Sequence, residues 1–373
     1  MESHKKYLID LLTPNIHANL SPNTSMKWDK FIKTAFDQGV AAAIYPEIRN
    51  LPIPLPIKSV FEKTYETALV LNLSNLQVIE QLEQFCLKEH IEVMTLKGLS
   101  LLDQVYPQIG LRPMADIDLM IRPDDRSRFE TLLNQWGYRR SAPLARLFNK
   151  GHSTIDLHTH ALNIDRIAGR VLLFPKGMDP IWDHAQPWKP GFRFVKKPNK
   201  PDNLLLLSQH FMKHSFSKLI WLVDIYRLLQ SFEKQDWQIL PERTSFLKQE
   251  KCLAYALFLL KVCFDYRPPP GAKFVPGRLK LSRIEKTILK NSLWNPVQTR
   301  TGPLTALFCI PGIKNRTRFA WENLFPDKKV VNHEFKRYYA GKRIRLYPMR
   351  LVQALGMTTR QLIGFFITGF FKK

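Results

Sequence analysis

Apolar positions along this chain repeat with two different periods. From Lys58 to Glu89, "KSVFEKTYETALVLNLSNLQVIEQLEQFCLKE" contains neither Pro nor Gly and spaces its apolar residues by three and four. That spacing predicts one long amphipathic helix or two abutting ones. The period then shortens. "HIEVMTLKGLSLLDQVYP" opens with an apolar, β-branched run to Leu96, turns at Lys97-Gly98 and resumes a helical pattern through Val105, predicting strand, tight turn and helix. "DIDLMI" predicts a second strand, closed by Pro123. "DDRSRFETLLNQWGY" predicts a helix capped by Asp124 or Asp125, with Phe129, Leu132, Leu133 and Trp136 as its apolar face. "LARLFNKGHSTIDLHTHAL" predicts a hairpin turning at Asn149-Lys150-Gly151.

Strand, helix, strand, helix, hairpin is the order of an α/β or α+β module. Beyond a connector rich in Pro and Trp, "PDNLLLLSQHFMKHSFSKLIWLVDIYRLLQSF" begins a region that reads as mainly helical to about Lys290. The chain divides into an N-terminal helical region (1–85), the mixed module (86–197), a helical domain (198–310) and a basic C-terminal segment (311–373).

Composition narrows the class. At 373 residues, 45% hydrophobic and 12% aromatic, the chain is an ordinary globular one with length for more than one domain. Cys86, Cys252, Cys263 and Cys309 form no CxxC pair, which argues against a disulfide framework or a cysteine-rich zinc site and predicts a reducing cytoplasm. The first residues, "MESHKKYLIDLLTPN", lack the apolar core and cleavage site of a secretory signal, and no run is long and apolar enough to span a bilayer. The formal charge of +24 favours an anionic partner: nucleotides, nucleic acid or an acidic lipid surface. From Pro311 onward, fourteen Lys and Arg face three Asp and Glu, so +11 of that excess sits at one end.

The chemistry concentrates in "RPMADIDLMI". Residues i and i+2 of a strand share a face, so Asp116 and Asp118 point together while Ile117, Leu119 and Ile121 form the buried side. Close carboxylates repel unless a cation lies between them, and a hard ion such as Mg²⁺ takes a few carboxylates plus substrate phosphate oxygens. Asp156, in "STIDLHTH" 38 residues past Asp118, is a third candidate, and three carboxylates on adjacent strands would hold two metals. A lone DxD is more often a solvated strand face. Here Lys97-Gly98 offers close backbone approach and a cation, read as a phosphate contact, and Arg112 adds a second cation whose role, structural or triphosphate-binding, stays open.

"LKGLSLLDQVYP", "GLRPMADIDLMI" and "IDLHTHAL", in that order, resemble the uncharacterised bacterial nucleotidyltransferase family of the DNA polymerase beta-like superfamily. The likeness spans about residues 60 to 240, including "LIWLVDIYRLL", and more weakly "LFPDKKVV" and "YYAGKRIRLYPMRL". It implies an α+β fold, a mixed-sheet nucleotidyltransferase module flanked by helical regions. It also implies transfer of a nucleoside monophosphate from an NTP to an acceptor hydroxyl or phosphate, with release of pyrophosphate. Two Mg²⁺ ions, with Mn²⁺ as a substitute, are implied at Asp116, Asp118 and Asp156, with Asp156 also as base. Gly98 would let the turn approach the phosphates, helped by Ser100. One departure is Leu99, which separates Gly98 from Ser100 where many members have Gly followed directly by Ser or Gly.

Other residues have rival readings. "DLHTH" also resembles the opening metal motif of amidohydrolase-like and polymerase-associated phosphoesterase enzymes, with His158 and His160 as ligands. Those folds open with the motif, whereas 155 residues precede it here and helices follow. In the favoured reading His158 and His160 orient Asp156, contact the acceptor or simply pack. His210 and His214 stand one helical turn apart; without a further ligand they read as helix-face residues lining a cleft, His214 as an acceptor-site candidate. Asp224 in "WLVDIY" reads either as an acceptor-site residue or as the buried partner of Arg227 or a lysine. The end, "TTRQLIGFFITGFFKK", reads either as an interfacial membrane contact on anionic lipid or as a packed terminal helix. A catalytically silent nucleotide- or nucleic-acid-binding module of the same fold is the alternative to the enzyme.

Overall fold

A computed structural model describes residues 2–13, 26–141, 146–164, 168–269, 280–294 and 302–325. The chain is α+β. Helices α1 (Ser3–Leu12), α2 (Trp28–Asp37) and the short α3 (Tyr45–Ile48) lead into α4, one unbroken helix over Leu55–Glu89. Helix α4 starts with Pro in its first turn, where a missing N–H costs nothing, and stops at His90, which turns left-handed at φ +53°.

Seven strands follow, interleaved with helices: β1 (Val93–Thr95), β2 (Ile117–Ile121), α5 (Arg126–Gln135), β3 (Arg139–Arg140), β4 (Leu147–Lys150), β5 (Ser153–His158), α6 (Asp179–Trp182), β6 (Gln186–Pro187) and β7 (Val195–Lys197). They make one mixed sheet in the order β3-β4-β5-β2-β1-β7-β6. Strand β2 pairs antiparallel with β1 and parallel with β5. The parallel register sets Asp118 beside Asp156 and Met120 beside His158. The remaining described helices are α7 (Lys200–Lys213), α8 (Leu219–Gln230), α9 (Lys234–Phe246), α10 (Glu250–Phe264), α11 (Arg283–Ser292), α12 (Gly302–Cys309) and α13 (Ile313–Leu324).

Each face of the sheet serves a different core. Val93, Ile117, Leu119, Ile121, Ile155 and Leu157 pack with Phe129, Leu132 and Leu133 of α5 and Ile79, Leu82 and Cys86 of α4. The alternate residues Met94 and Met120 join a second core built largely from α7, α8 and α10. Asp118, Asp156 and His158 share that second face. Fully burying one Leu, Ile or Phe contributes about 1.5–3 kcal/mol relative to leaving it exposed, so the α4–α5 side anchors β2 while its other side carries charge. Helix α4 adds a polar clamp: buried Glu83 accepts the backbone N–H groups of Arg193 (2.7 Å) and Val195 (2.7 Å), tying β7 to the helix.

Three expectations are corrected. Residues 98–105 run as successive turns rather than a helix, because Leu99 and Leu102 must reach one core while Leu101 reaches the other. Neither Asp124 nor Asp125 caps α5. Pro123–Asp125 already forms a 3-10 turn, so Asp125 has helical rather than extended dihedrals and its carboxylate instead takes Arg128 (3.2 Å). The hairpin turn falls at Gly151-His152, with Gly151 at φ +56°. All four cysteines are free. No helix among the described residues is long and apolar enough to cross a membrane. Most of the basic C-terminal segment, including its amphipathic end, lies outside the described residues.

Candidate active site

Parallel pairing of β2 with β5 is what assembles the site. Asp118 and Asp156 are register partners, and His158 lies two residues beyond Asp156 on the same face. His158 Nε2 stands 2.9 Å from Asp118 Oδ1 and 3.1 Å from Asp156 Oδ2. Its other nitrogen, Nδ1, is 2.8 Å from Asn163 Oδ1, an atom that only accepts, so Nδ1 carries a hydrogen. Lys97 closes the group by donating Nζ to Asp118 Oδ1. Lys97 itself is left-handed, at φ +54°, and its carbonyl accepts the Ser100 hydroxyl (2.8 Å), which in turn accepts Asn203 Nδ2 of α7 (3.1 Å).

The carboxylates are held ionised. Burial raises the pKa of Asp118, but Lys97 and His158 outweigh it and hold the group well below the usual carboxylate range. Asp156 is also lowered, burial being outweighed by His158 and Arg146. Burial disfavours a charged His158, yet its bonds to both carboxylates raise its pKa overall. Asp116, just before β2 and only partly buried, is pushed up to about 6 by burial and then by Asp118.

Among the described residues, one ligand atom each from Asp118, Asp156 and His158 lie within 4.8 Å of one another. Asp116 is outside that convergence. Asp156 Oδ1 is buried and has no hydrogen-bond partner, a costly state that a divalent cation would relieve. The donor set and this orphaned oxygen fit a divalent metal.

A small crevice with a largely apolar lining carries two cations. Lys213, the last residue of α7, and Arg170 line it together with Leu162, Gln209 and Pro303. Arg146 reaches Asp156 Oδ2 at 3.4 Å with one terminal nitrogen, while its other, Nη1, is buried without a partner. Burial, then Lys97, Arg170 and Arg146, push the Lys213 ammonium down to about 7, with Asp118 opposing. Buried cations near enough to lower a neighbouring ammonium favour an anion beside them. Lys213→Met is expected to weaken inorganic tripolyphosphate binding about 10- to 100-fold, the scale of one charge-assisted bond. Because Lys213 is protonated below about 7, the advantage of wild type over the variant should be largest at pH 6 and shrink toward pH 8. Calorimetry at both pH values checks this, and equal affinities would contradict it.

The other sequence candidates are placed as follows. Gly98 is a point of close approach: a Cβ there would stand 2.7 Å from Met114 Sδ. Ser100 is fully buried, its hydroxyl engaged with Lys97 and Asn203. Arg112 grips Asp224 with two parallel bonds, Nε to Oδ1 (2.8 Å) and Nη2 to Oδ2 (2.7 Å), and Tyr106 donates to the same carboxylate (2.6 Å). The buried partner of Asp224 is therefore Arg112, not Arg227, whose guanidinium lies 4.9 Å over the Tyr106 ring. His214 packs on His210 (4.5 Å) and Trp221 (5.0 Å), and burial and then Lys213 push it down to about 3. His160 Nδ1 accepts the Leu162 N–H (3.1 Å) and is not among the converging atoms, so the two-histidine arrangement of the hydrolase reading is not assembled.

Sequence reasoning missed Arg146, Arg170, Lys213 and Asn163. A lysine in the last turn of a helix is an ordinary partner of the helix dipole, so nothing in "HFMKH" marked Lys213.

The sequence profile of a family described as an uncharacterised nucleotidyltransferase matches residues 24–265. That span holds the whole sheet, helices α2 to α10 and every residue of the centre. No curated protein matches the chain in sequence.

Proposed function

The chain belongs to this uncharacterised nucleotidyltransferase family, and on that premise we propose that it transfers a nucleoside monophosphate from an NTP to an acceptor hydroxyl or phosphate. The observation that carries the reading is the pairing of two opposite demands in adjoining space. Asp118, Asp156 and His158 converge as a cation site, and beside them Lys213 lies within electrostatic reach of Lys97, Arg170 and Arg146 as well as of Asp118, so positive charge gathers next to that centre. A metal-bound triphosphate answers both.

A divalent ion at the first site supplies neutralisation of the charge that develops on the α-phosphate; the carboxylates alone suit Mg²⁺. Asp118 and Asp156 would hold that ion, and Lys97 helps keep Asp118 ionised without it. Asp156, through the carboxylate oxygen not turned to the ion, accepts the proton of the acceptor hydroxyl as its oxygen attacks the α-phosphorus. The bond from that phosphorus to the bridging oxygen breaks, and Lys213, Arg170 and Arg146 hold the departing pyrophosphate.

The test is incubation of the full chain with each NTP and Mg²⁺ or Mn²⁺, followed by mass analysis of the protein and co-purified small molecules. An added nucleotide monophosphate is the expected result. No adduct with any NTP, together with salt-steep binding to DNA or RNA, would support the catalytically silent module instead. The formal +24 favours that alternative only in its capacity to bind nucleic acid.

A further inference from the structure

We propose that His214 and Trp221 form a stacking platform for the base of the NTP. The proposal rests on the nucleotidyl-transfer reading and gives a place to the part of the nucleotide that the carboxylates and cations leave unheld.

The platform is built where α7 meets α8. Ser215 and Phe216, between the two helices, both take the left-handed backbone, φ +59° and +55°, which a residue with a Cβ keeps only where its surroundings hold it. Phe216 is held by burial against the rings of Phe211 (5.1 Å) and Tyr255 (6.1 Å). The start of α8 is pinned separately, since Gln38 Oε1 accepts the Leu219 N–H (2.8 Å). The chain thereby sets His214, just past the end of α7, 5.0 Å from Trp221 in the first turn of α8. His210, one helical turn earlier, supports both rings at 4.5 and 4.9 Å.

This cluster is open and uncharged. His214 is exposed and Trp221 half-buried. Loss of hydration nonetheless leads the causes that push His214 down to about 3, so its ring stands in a concavity rather than on a convex rim. Burial first, and then Lys97, hold His210 well below the usual imidazole range. Among the described residues neither the His214 imidazole nor the Trp221 indole N–H has a hydrogen-bond partner, so both can also meet the edge of a ligand. Neutral π faces of this kind stack on any base.

Charge and position select the occupant. His214 follows Lys213 in the chain and lies within electrostatic reach of Lys97, Arg170 and Asp118. Neutral rings thus adjoin gathered positive charge, and a nucleotide carries the matching pair, a neutral planar base joined to a polyanion. An acceptor enters in line with, and opposite to, the departing pyrophosphate, so a platform beside Lys213 lies on the donor's side.

Calorimetry on the full chain with Mg²⁺ tests this by comparing each NTP with ribose triphosphate, which lacks the base, and with inorganic tripolyphosphate. Wild type is expected to bind at least one NTP about 10- to 100-fold more tightly than ribose triphosphate, the worth of one base stack. His214→Ala and Trp221→Leu should each remove most of that margin and leave tripolyphosphate affinity unchanged, while Trp221→Phe, which keeps a π face, should retain most of it. His214 is exposed, so its truncation spares the fold, and the wild-type comparison needs no variant. Equal affinity of wild type for NTP and ribose triphosphate would overturn the proposal and leave nucleotidyl transfer standing. Base-dependent binding that survives both substitutions would overturn it as well, placing the base elsewhere. Failure of wild type to bind any NTP would overturn the nucleotidyl-transfer reading too.

Discussion

Asp118→Asn is expected to lower nucleotidyl transfer by on the order of 10³-fold, the cost of removing one well-placed electrostatic group from a catalytic site. Asp118 is the node of the centre: it meets Lys97 and His158 directly, and its register neighbour is Asp156. The amide keeps the shape and loses the charge that holds a cation. Divalent-ion binding should therefore fall together with turnover, and the two losses can be read separately by calorimetry and by pyrophosphate release. The variant should stay folded, because the apolar face of β2, Ile117, Leu119 and Ile121, is untouched. Retained turnover with retained metal affinity would place the site elsewhere.

Asp224→Asn is expected to act on stability instead. Asp224 is wholly buried and Arg112 nearly so, with Tyr106 completing the carboxylate's bonds. Breaking such a pair leaves a buried, uncompensated guanidinium and costs about 3–5 kcal/mol, whereas replacing both partners by apolar groups of similar size is often close to neutral. Denaturant unfolding should show the large loss in Asp224→Asn and partial recovery in Asp224→Leu combined with Arg112→Met. An acceptor-binding role predicts another pattern: unchanged unfolding and a raised KM for the acceptor.

Much of the fold was legible because the two hydrophobic periods differ so clearly. The Pro- and Gly-free run ending at Glu89 is one helix, and the alternation in "DIDLMI" and "STIDLH" gives the two central strands. Asp118 and Asp156 were legible as partners for the same reason, since a one-residue slip would have buried the charges against α5. The third converging donor was not. Both Asp116 and His158 stand two residues from one of those aspartates and both feel the charge of Asp118, so sequence spacing does not rank them. The Arg112–Asp224 pair spans more than a hundred positions, and local pattern pointed to the nearer Arg227. Strands β6 and β7 have only two and three residues; β7 is specified by pairing with β1 and by the Glu83 clamp, and β6 by pairing with β7, rather than by their own pattern. The turns after Gly98 defeat a periodicity argument because their leucines serve two cores at once.

The most direct test of the central claim follows the phosphates of one NTP. With the full chain, a divalent ion and NTP labelled separately at the α and γ positions, the proposed reaction places the α label on an acceptor and the γ label in pyrophosphate, in equal amounts. Release of the γ label as orthophosphate, or its appearance on the acceptor, would contradict nucleotidyl transfer at this site.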